Sequence, residues 1–312
     1  MPKHTKHRKK NIFRISASIL LTFLLTVLFF IASTSYVVRN SLSEKTMRKI
    51  VSTFDVNSKD TTIDEWIYQY FETHYGDEYL MEFMVTEEAV AGVLDNTDFT
   101  TFVADKLIDY SQDILYDTGT GHFTSDEFMD FIEANEEAIS EATGRYYFPE
   151  EFVIMREYFL TMDMFNDISA ASICDSIGVP VERIRMLTSL KTFGILLSVS
   201  CLLIALLQLV NRRRIHTGIR CLGIALLLNG GAYITLRVVF ASLCSRVAHR
   251  IGMGASLVDS ISAPVRNIIG TVGWISTALG LLFITVSIVS AIRFRKRQAQ
   301  SSPVYASVSQ DS

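Results

Sequence analysis

Cysteine is scarce, with four in 312 residues, and their scatter supplies no framework from which a disulfide scaffold can be read. Cys201 and Cys221 fall in or beside apolar runs, where a thiol serves as a small apolar filler. Cys174 and Cys244 fall outside those runs, and a bridge between them stays open at this point. Reactive motifs are missing too. The chain has no His-Glu-x-x-His, no Cys-x-x-Cys, no Gly-x-Ser-x-Gly and no Gly-rich phosphate loop with its Lys. Of six His, only His74 and His122 lie in the long polar segment, where each reads as solvent-facing. Catalysis, a cofactor, a metal centre and a nucleic-acid partner are therefore not expected. Base is the other shortage: between Asp60 and Gly144, Lys106 stands alone against 22 acids. Strand-like alternation and internal repeats are also lacking.

What the chain does have is charge sorted along its length. Residues 39–190 hold 31 of the 33 Asp and Glu but 10 of the 29 Lys and Arg, which gives this stretch −21 and the remainder +17. The basic remainder contains four apolar runs, 15–38, 193–210, 221–240 and 268–292, with Arg237 the one charge inside them. About 20 apolar residues at 1.5 Å each cross roughly 30 Å of hydrocarbon, so each run predicts a transmembrane helix. Bases flank them at Lys3, Lys6, Arg8, Lys9, Lys10 and Arg14, at Arg212–Arg214 and Arg220, and at Arg293, Arg295, Lys296 and Arg297. Positive flanks stay cytoplasmic. A four-span plasma-membrane protein follows, with a basic N-terminus (1–14), a cytoplasmic loop (211–220) and a cytoplasmic tail (293–312). Residues 39–192 and the shorter loop 241–267 face outside. The first run, ending near Ala32, Ser33 and Thr34, also has features of a secretory signal, but its length favours a retained anchor.

The external segment reads as helical. Apolar residues recur at 3–4 spacing over 63–75 (Ile63, Ile67, Tyr70, Phe71, Tyr75) and over 99–115 (Phe102, Val103, Leu107, Tyr110, Ile114). A third helix starts at Thr124, capped through Glu127 three residues on, and carries Phe128, Phe131, Ile132 and Ile139. Pro149 opens a fourth, and Pro180 opens one that runs into the second span. The expected fold class is all-α: four transmembrane helices with a large acidic helical extracytoplasmic domain inserted between spans one and two.

Two acid stripes mark that domain. Asp105, Asp109 and Asp113 repeat at i,i+4 with Asp117 continuing the spacing, and Asp126, Asp130, Glu133, Glu137 and Glu141 form the second. Like charges so spaced oppose helix formation by a few tenths of a kcal/mol per pair. A solvated outer face accounts for them; as a binding surface, with Glu127 included, they would collect divalent cations or a basic peptide. Between the stripes, 116–127 resembles a calcium-binding EF-hand loop in its second half, with Gly121, Phe123, Thr124 and Glu127 at the turn, apolar, ninth and twelfth positions. Tyr116, Thr118 and Thr120 replace the family's Asp or Asn in the first half, and a capped helix-turn-helix needs no metal.

Bases on the outer side suggest where the acidic domain is held. Arg237 sits near the external end of the third span, and Arg246, Arg250 and Arg266 outnumber Asp259 in the short loop. A clasp between these arginines and the acidic domain is expected. Gly273, Thr277 and Gly280 mark a packing face on the fourth span, and Gly230-Gly231 interrupt the third beside Asn229. The layout of spans resembles that of FtsX- and MacB-type permease subunits, which implies a partner ATPase, although the short cytoplasmic segments depart from that family. The sequence thus predicts a non-enzymatic binding, sensing or organising module in the bilayer, with a permease-like subunit as the alternative.

Overall fold

The computed structural model describes residues 3–52, 68–69, 72, 86–96, 98–144, 146, 150, 153, 169–176, 178–212, 214–250 and 255–301. The expected helices at 63–75 and after Pro149 fall largely outside the described residues. Eleven helices are described: α1 Lys3–Ser41, α2 Glu44–Val51, α3 Glu87–Asn96, α4 Phe99–Tyr116, α5 Ser125–Ala134, α6 Glu136–Thr143, α7 Ala170–Ser176, α8 Val181–Thr188, α9 Leu190–Val210, α10 Ile215–Arg250 and α11 Ala255–Ser301. Extended pairing among the described residues is limited to one isolated bridge, His122 with Ser169.

Four helices contain stretches long and apolar enough to cross a membrane: Ile12–Ser41, Leu190–Val210, Ile215–Arg246 and Val258–Arg295. This is a multi-pass membrane protein. Its helices α10 and α11 extend well past the apolar runs, so most of 241–267, expected as a loop, is helix. Helix-compatible residues continue past the third apolar run to Arg250. Gly230 and Gly231 likewise do not interrupt α10, because a single Gly costs a helix only about 1 kcal/mol.

The chain divides into two compact units. The first comprises Met1–Thr34, Phe193–Thr235 and Gly270–Ser312. It is ordered inside-out relative to a water-soluble bundle. On α1, Ser18 and Thr22 are buried while Ile19, Leu20 and Phe23 are exposed, as hydrocarbon solvent favours. Leu25, Leu207 and Ala225 form its buried apolar centre, joining α1, α9 and α10. Helices α10 and α11 approach backbone to backbone. A Cβ at Gly223 would lie 2.9 Å from the Gly280 carbonyl oxygen, and one at Gly230 would lie 2.8 Å from that of Gly273. Both pairs are seven residues apart, two helical turns, and run in opposite directions. The small-residue face expected on the fourth span is here, and Gly230 supplies its partner surface.

The second unit comprises Ser35–Thr192 and Leu236–Ile269. Helix α4 is its central element, packing against α2, α3, α7 and α8. Because neighbours surround it, its fully buried seam is Ala104, Ile108, Ser111 and Ile114. Phe102, Val103, Leu107 and Tyr110, expected on the core face, are half-buried beside it. Phe102 stacks on Phe131 with ring centroids 4.6 Å apart, tying α4 to α5. Ile114, Ala170, Cys174 and Val181 make one core cluster, and Met129 and Ile139 another. Cys174 is therefore a buried free thiol, and Cys244 is free as well: the open bridge between them is not made.

Two helices expected as continuous are broken. Asn135 separates α5 from α6, its side chain donating to the Phe131 carbonyl and its own carbonyl accepting from Ile139. Ser189 separates α8 from α9 with an extended backbone (ψ 144°), and its hydroxyl accepts from the Thr192 amide. In both places a short polar side chain satisfies helix-end groups locally, which competes with continuation of the helix.

Candidate functional site

The first acid stripe does not simply face solvent. Arg185 of α8 spans the C-terminus of α4: its Nε and Nη2 donate to the Asp113 carbonyl at 3.3 and 3.0 Å, and its Nη1 lies 2.7 Å from Asp117 Oδ1. The Asp113 carboxylate, with 14% of its side chain exposed, lies 3.6 Å from the same guanidinium. It also accepts the Gly119 amide at 2.8 Å. A cation is thereby fixed where the helix dipole is negative, as a second donor to the Asp113 carbonyl, which also accepts the Asp117 amide at 2.9 Å. Asp105, further up the stripe, lies 3.5 Å from Arg48 of α2, and Asp109 is half-buried.

The turn that follows is built around that clamp. Asp117 takes up left-handed backbone (φ 59°) and ends α4. Gly121 is needed because a Cβ there would lie 2.7 Å from Asp113 Oδ2 and 2.9 Å from the Ala170 side chain. Its carbonyl accepts the Ala170 amide at 2.7 Å, which anchors α7. Thr118 and Thr120 bond each other through their hydroxyls. The resemblance to a calcium loop thus marks a helix-turn-helix closed by its own hydrogen bonds. Among the described residues no group of three or more His, Cys, Asp or Glu is arranged to hold a metal ion.

Thr124 and Glu127 form the reciprocal cap that their spacing predicts: the Thr124 hydroxyl accepts the Glu127 amide at 3.2 Å, and Glu127 Oε2 accepts the Thr124 amide at 3.1 Å. Glu127 Oε1 accepts from the Lys106 ammonium. Partial burial opposes ionisation of this carboxyl, but the Lys106 and Thr124 bonds and the charges of Lys106 and His122 outweigh it and hold its pKa below the usual range. Burial and then the Glu127 charge push the neighbouring Tyr110 hydroxyl up to about 12.

The second stripe is shared between two helices. Asp126, Asp130 and Glu133 are exposed on α5, and Glu137 and Glu141 are exposed on α6 beyond the Asn135 break. Of the arginines expected on the outer side, Arg237 is half-buried and Arg246 exposed on α10, while the side chain of Arg250 lies outside the described residues. Arg266 forks onto Asp259 of its own helix, with Nη2 3.2 Å from Oδ2. This grip spans Pro264, which lacks the amide a helix needs there.

Three arrangements escaped sequence reasoning. One is the Arg185 clamp, whose partners lie 72 residues apart. Another is a polar lattice in the first unit. Asn229, 1% exposed, donates to Ser33 and Ser276 hydroxyls at 3.1 Å each, and Tyr233 shares a 2.6 Å bond with Thr34. The last is a cavity of about 270 Å³ lined by Arg39, Asn40, Leu42, Ser43, Glu44, Gln112, Leu115 and Tyr116. Polar residues inside apolar runs were the available signal for the lattice; the clamp and the cavity are long-range and left none.

No protein-family model, curated protein or solved structure matches the chain.

Proposed function

We propose that the protein is a non-enzymatic plasma-membrane module with both termini cytoplasmic, whose acidic helical domain faces outside and senses a cationic partner. That partner is a divalent cation or a basic peptide. The observation that carries this is the Arg185 clamp: α8 holds the acid end of α4, and a single residue, Ser189, separates α8 from the span-forming α9. Acids exposed on α5 and α6 would raise the local concentration of cations. A cation competing for Asp113 and Asp117 would loosen Arg185 and alter how α8 enters α9. The outer arginines Arg237, Arg246 and Arg250 would help hold the domain's orientation, with little energy per pair where exposed.

The test adds calcium, magnesium or an oligolysine peptide to the full-length protein in detergent and follows hydrogen exchange across 109–121 and 181–189, with sodium at equal ionic strength as control. Faster exchange in both segments with the multivalent cations supports sensing. Equal exchange in all conditions refutes it. Protease shaving of intact cells tests the sidedness, and cytosolic location of residue 130 would reverse the topology. Co-purification of a nucleotide-hydrolysing subunit from native membranes would favour the permease-like alternative.

A further inference from the structure

The cavity of about 270 Å³ beside the end of α1 has a lining that neither acid stripe explains. Arg39 lies on the last turn of α1, immediately after the apolar run 15–38, so it sits where a bilayer changes from hydrocarbon to headgroups. Among the described residues Arg39 has no carboxylate partner, unlike Arg48, Lys106, Arg185 and Arg266. Its guanidinium is thus available to an anion entering the cavity, and phosphate is the anion abundant at that depth. On the same wall Glu44 gives one oxygen to Arg48 at 3.0 Å. Its other oxygen has no ion pair among the described residues. A positive and a negative group share one small chamber, together with the amide of Gln112, the apolar side chain of Leu115 and the exposed Tyr116 ring.

We infer that this cavity binds a phosphate bearing an amine, and that its source is the headgroup of a zwitterionic phospholipid such as phosphatidylethanolamine. Arg39 takes the phosphodiester and Glu44 the ammonium. Leu115 and Tyr116 cover the glycerol end, where amphipathic rings favour the interface. Charge selects against a purely anionic lipid: 31 acids against 10 bases over residues 39–190 repel added net negative charge. Size agrees, since the cavity lies below the roughly 300–1,000 Å³ of sites for drug-sized ligands. The inference depends on α1 being a span and not on which side the domain faces, so it can fail or stand independently of the proposed function.

The experiment uses delipidated full-length protein in detergent, titrated with dioleoylphosphatidylethanolamine and read by native mass spectrometry and thermal unfolding. Dioleoylglycerol supplies the same tails without the headgroup, dioleoylphosphatidylglycerol supplies phosphate without the amine, and soluble phosphoethanolamine supplies the headgroup without tails. The expected result is a saturable adduct and a raised unfolding temperature with phosphatidylethanolamine. Arg39→Gln should weaken binding about tenfold, Glu44→Gln should remove the preference over phosphatidylglycerol, and Arg39→Lys should retain part of the affinity. Equal binding of dioleoylglycerol, or of wild type and Arg39→Gln when both unfold cooperatively, overturns the site. A stronger effect of phosphatidylglycerol overturns the amine assignment, and full saturation by phosphoethanolamine overturns the lipid as source.

Discussion

Replacing Arg185 by Gln removes the cation that closes the end of α4 while leaving a side chain of similar reach. Its bond to Asp117 contributes little, because 72% of that carboxylate is exposed, and exposed pairs are worth about 0–1 kcal/mol. Asp113 differs: its side chain is 14% exposed, and both its carbonyl and its carboxylate face the guanidinium. Losing a hydrogen bond to a charged group there costs about 1.5–3 kcal/mol. The lost charge at the helix terminus adds about 0.3–1 kcal/mol. A total of about 2–4 kcal/mol should appear as amide exchange at least roughly 30-fold faster over 113–121, since about 1.4 kcal/mol is a factor of ten. Hydrogen exchange with mass spectrometry reads this locally, without assuming that the membrane-spanning helices unfold with α4. Asp117→Asn should change exchange less than about fivefold. The cycle Asp113→Asn with Arg185→Gln should give a coupling of about 1 kcal/mol or more. Additive effects in that cycle would refute the carboxylate contact, because Asp113→Asn keeps the backbone carbonyl that accepts from Arg185, and unchanged exchange over 113–121 in Arg185→Gln would refute the clamp as the device that holds α8 to α4.

Further outcomes follow from other contacts. Thr124→Ala should destabilise the start of α5 by about 1 kcal/mol, seen as faster exchange over 125–129. The Glu127 pKa is depressed in the folded state, so its contribution is complete above the ordinary carboxylate value of about 4.3 and lost as pH falls through its lower folded value. Exchange over 125–129 should therefore rise on acidification below about pH 4.3 and be insensitive to Glu127 ionisation near neutrality. Gly230→Val and Gly280→Val should each cost about 1–3 kcal/mol by forcing α10 and α11 apart, measured by thermal unfolding followed at Trp274. Gly231→Ala should be tolerated, because nothing lies within 4 Å of its missing Cβ. Alkylation of Cys174 should be slow in native protein, since burial and the neighbouring Asp175 charge push its thiol pKa up. Partial denaturant should accelerate it.

Local features were legible in the sequence and distant ones were not. The apolar runs showed because a bilayer demands about 20 consecutive residues, a requirement the chain meets without help from its neighbours. The cap at Thr124 and Glu127 showed because both partners lie within one helical turn. Helical periodicity passes through Asn135 and Ser189 unchanged, so nothing in the pattern announced breaks that depend on side-chain bonds to helix ends. The first acid stripe was visible as spacing, but its state depends on Arg48 and Arg185, which reach it from other helices. Arg266 was grouped with the outer bases by count, whereas its geometry commits it to Asp259 on its own helix. Burial on α4 followed neighbours on several sides, which no single-face pattern encodes.

The paired notches at Gly223 with Gly280 and Gly230 with Gly273 act as a vernier with a seven-residue pitch. Sliding one helix by a single turn would drive bulky side chains such as Leu227 or Ile284 into gaps that admit only hydrogen. Helices α10 and α11 are thereby held in a single register over the stretch between the two notches.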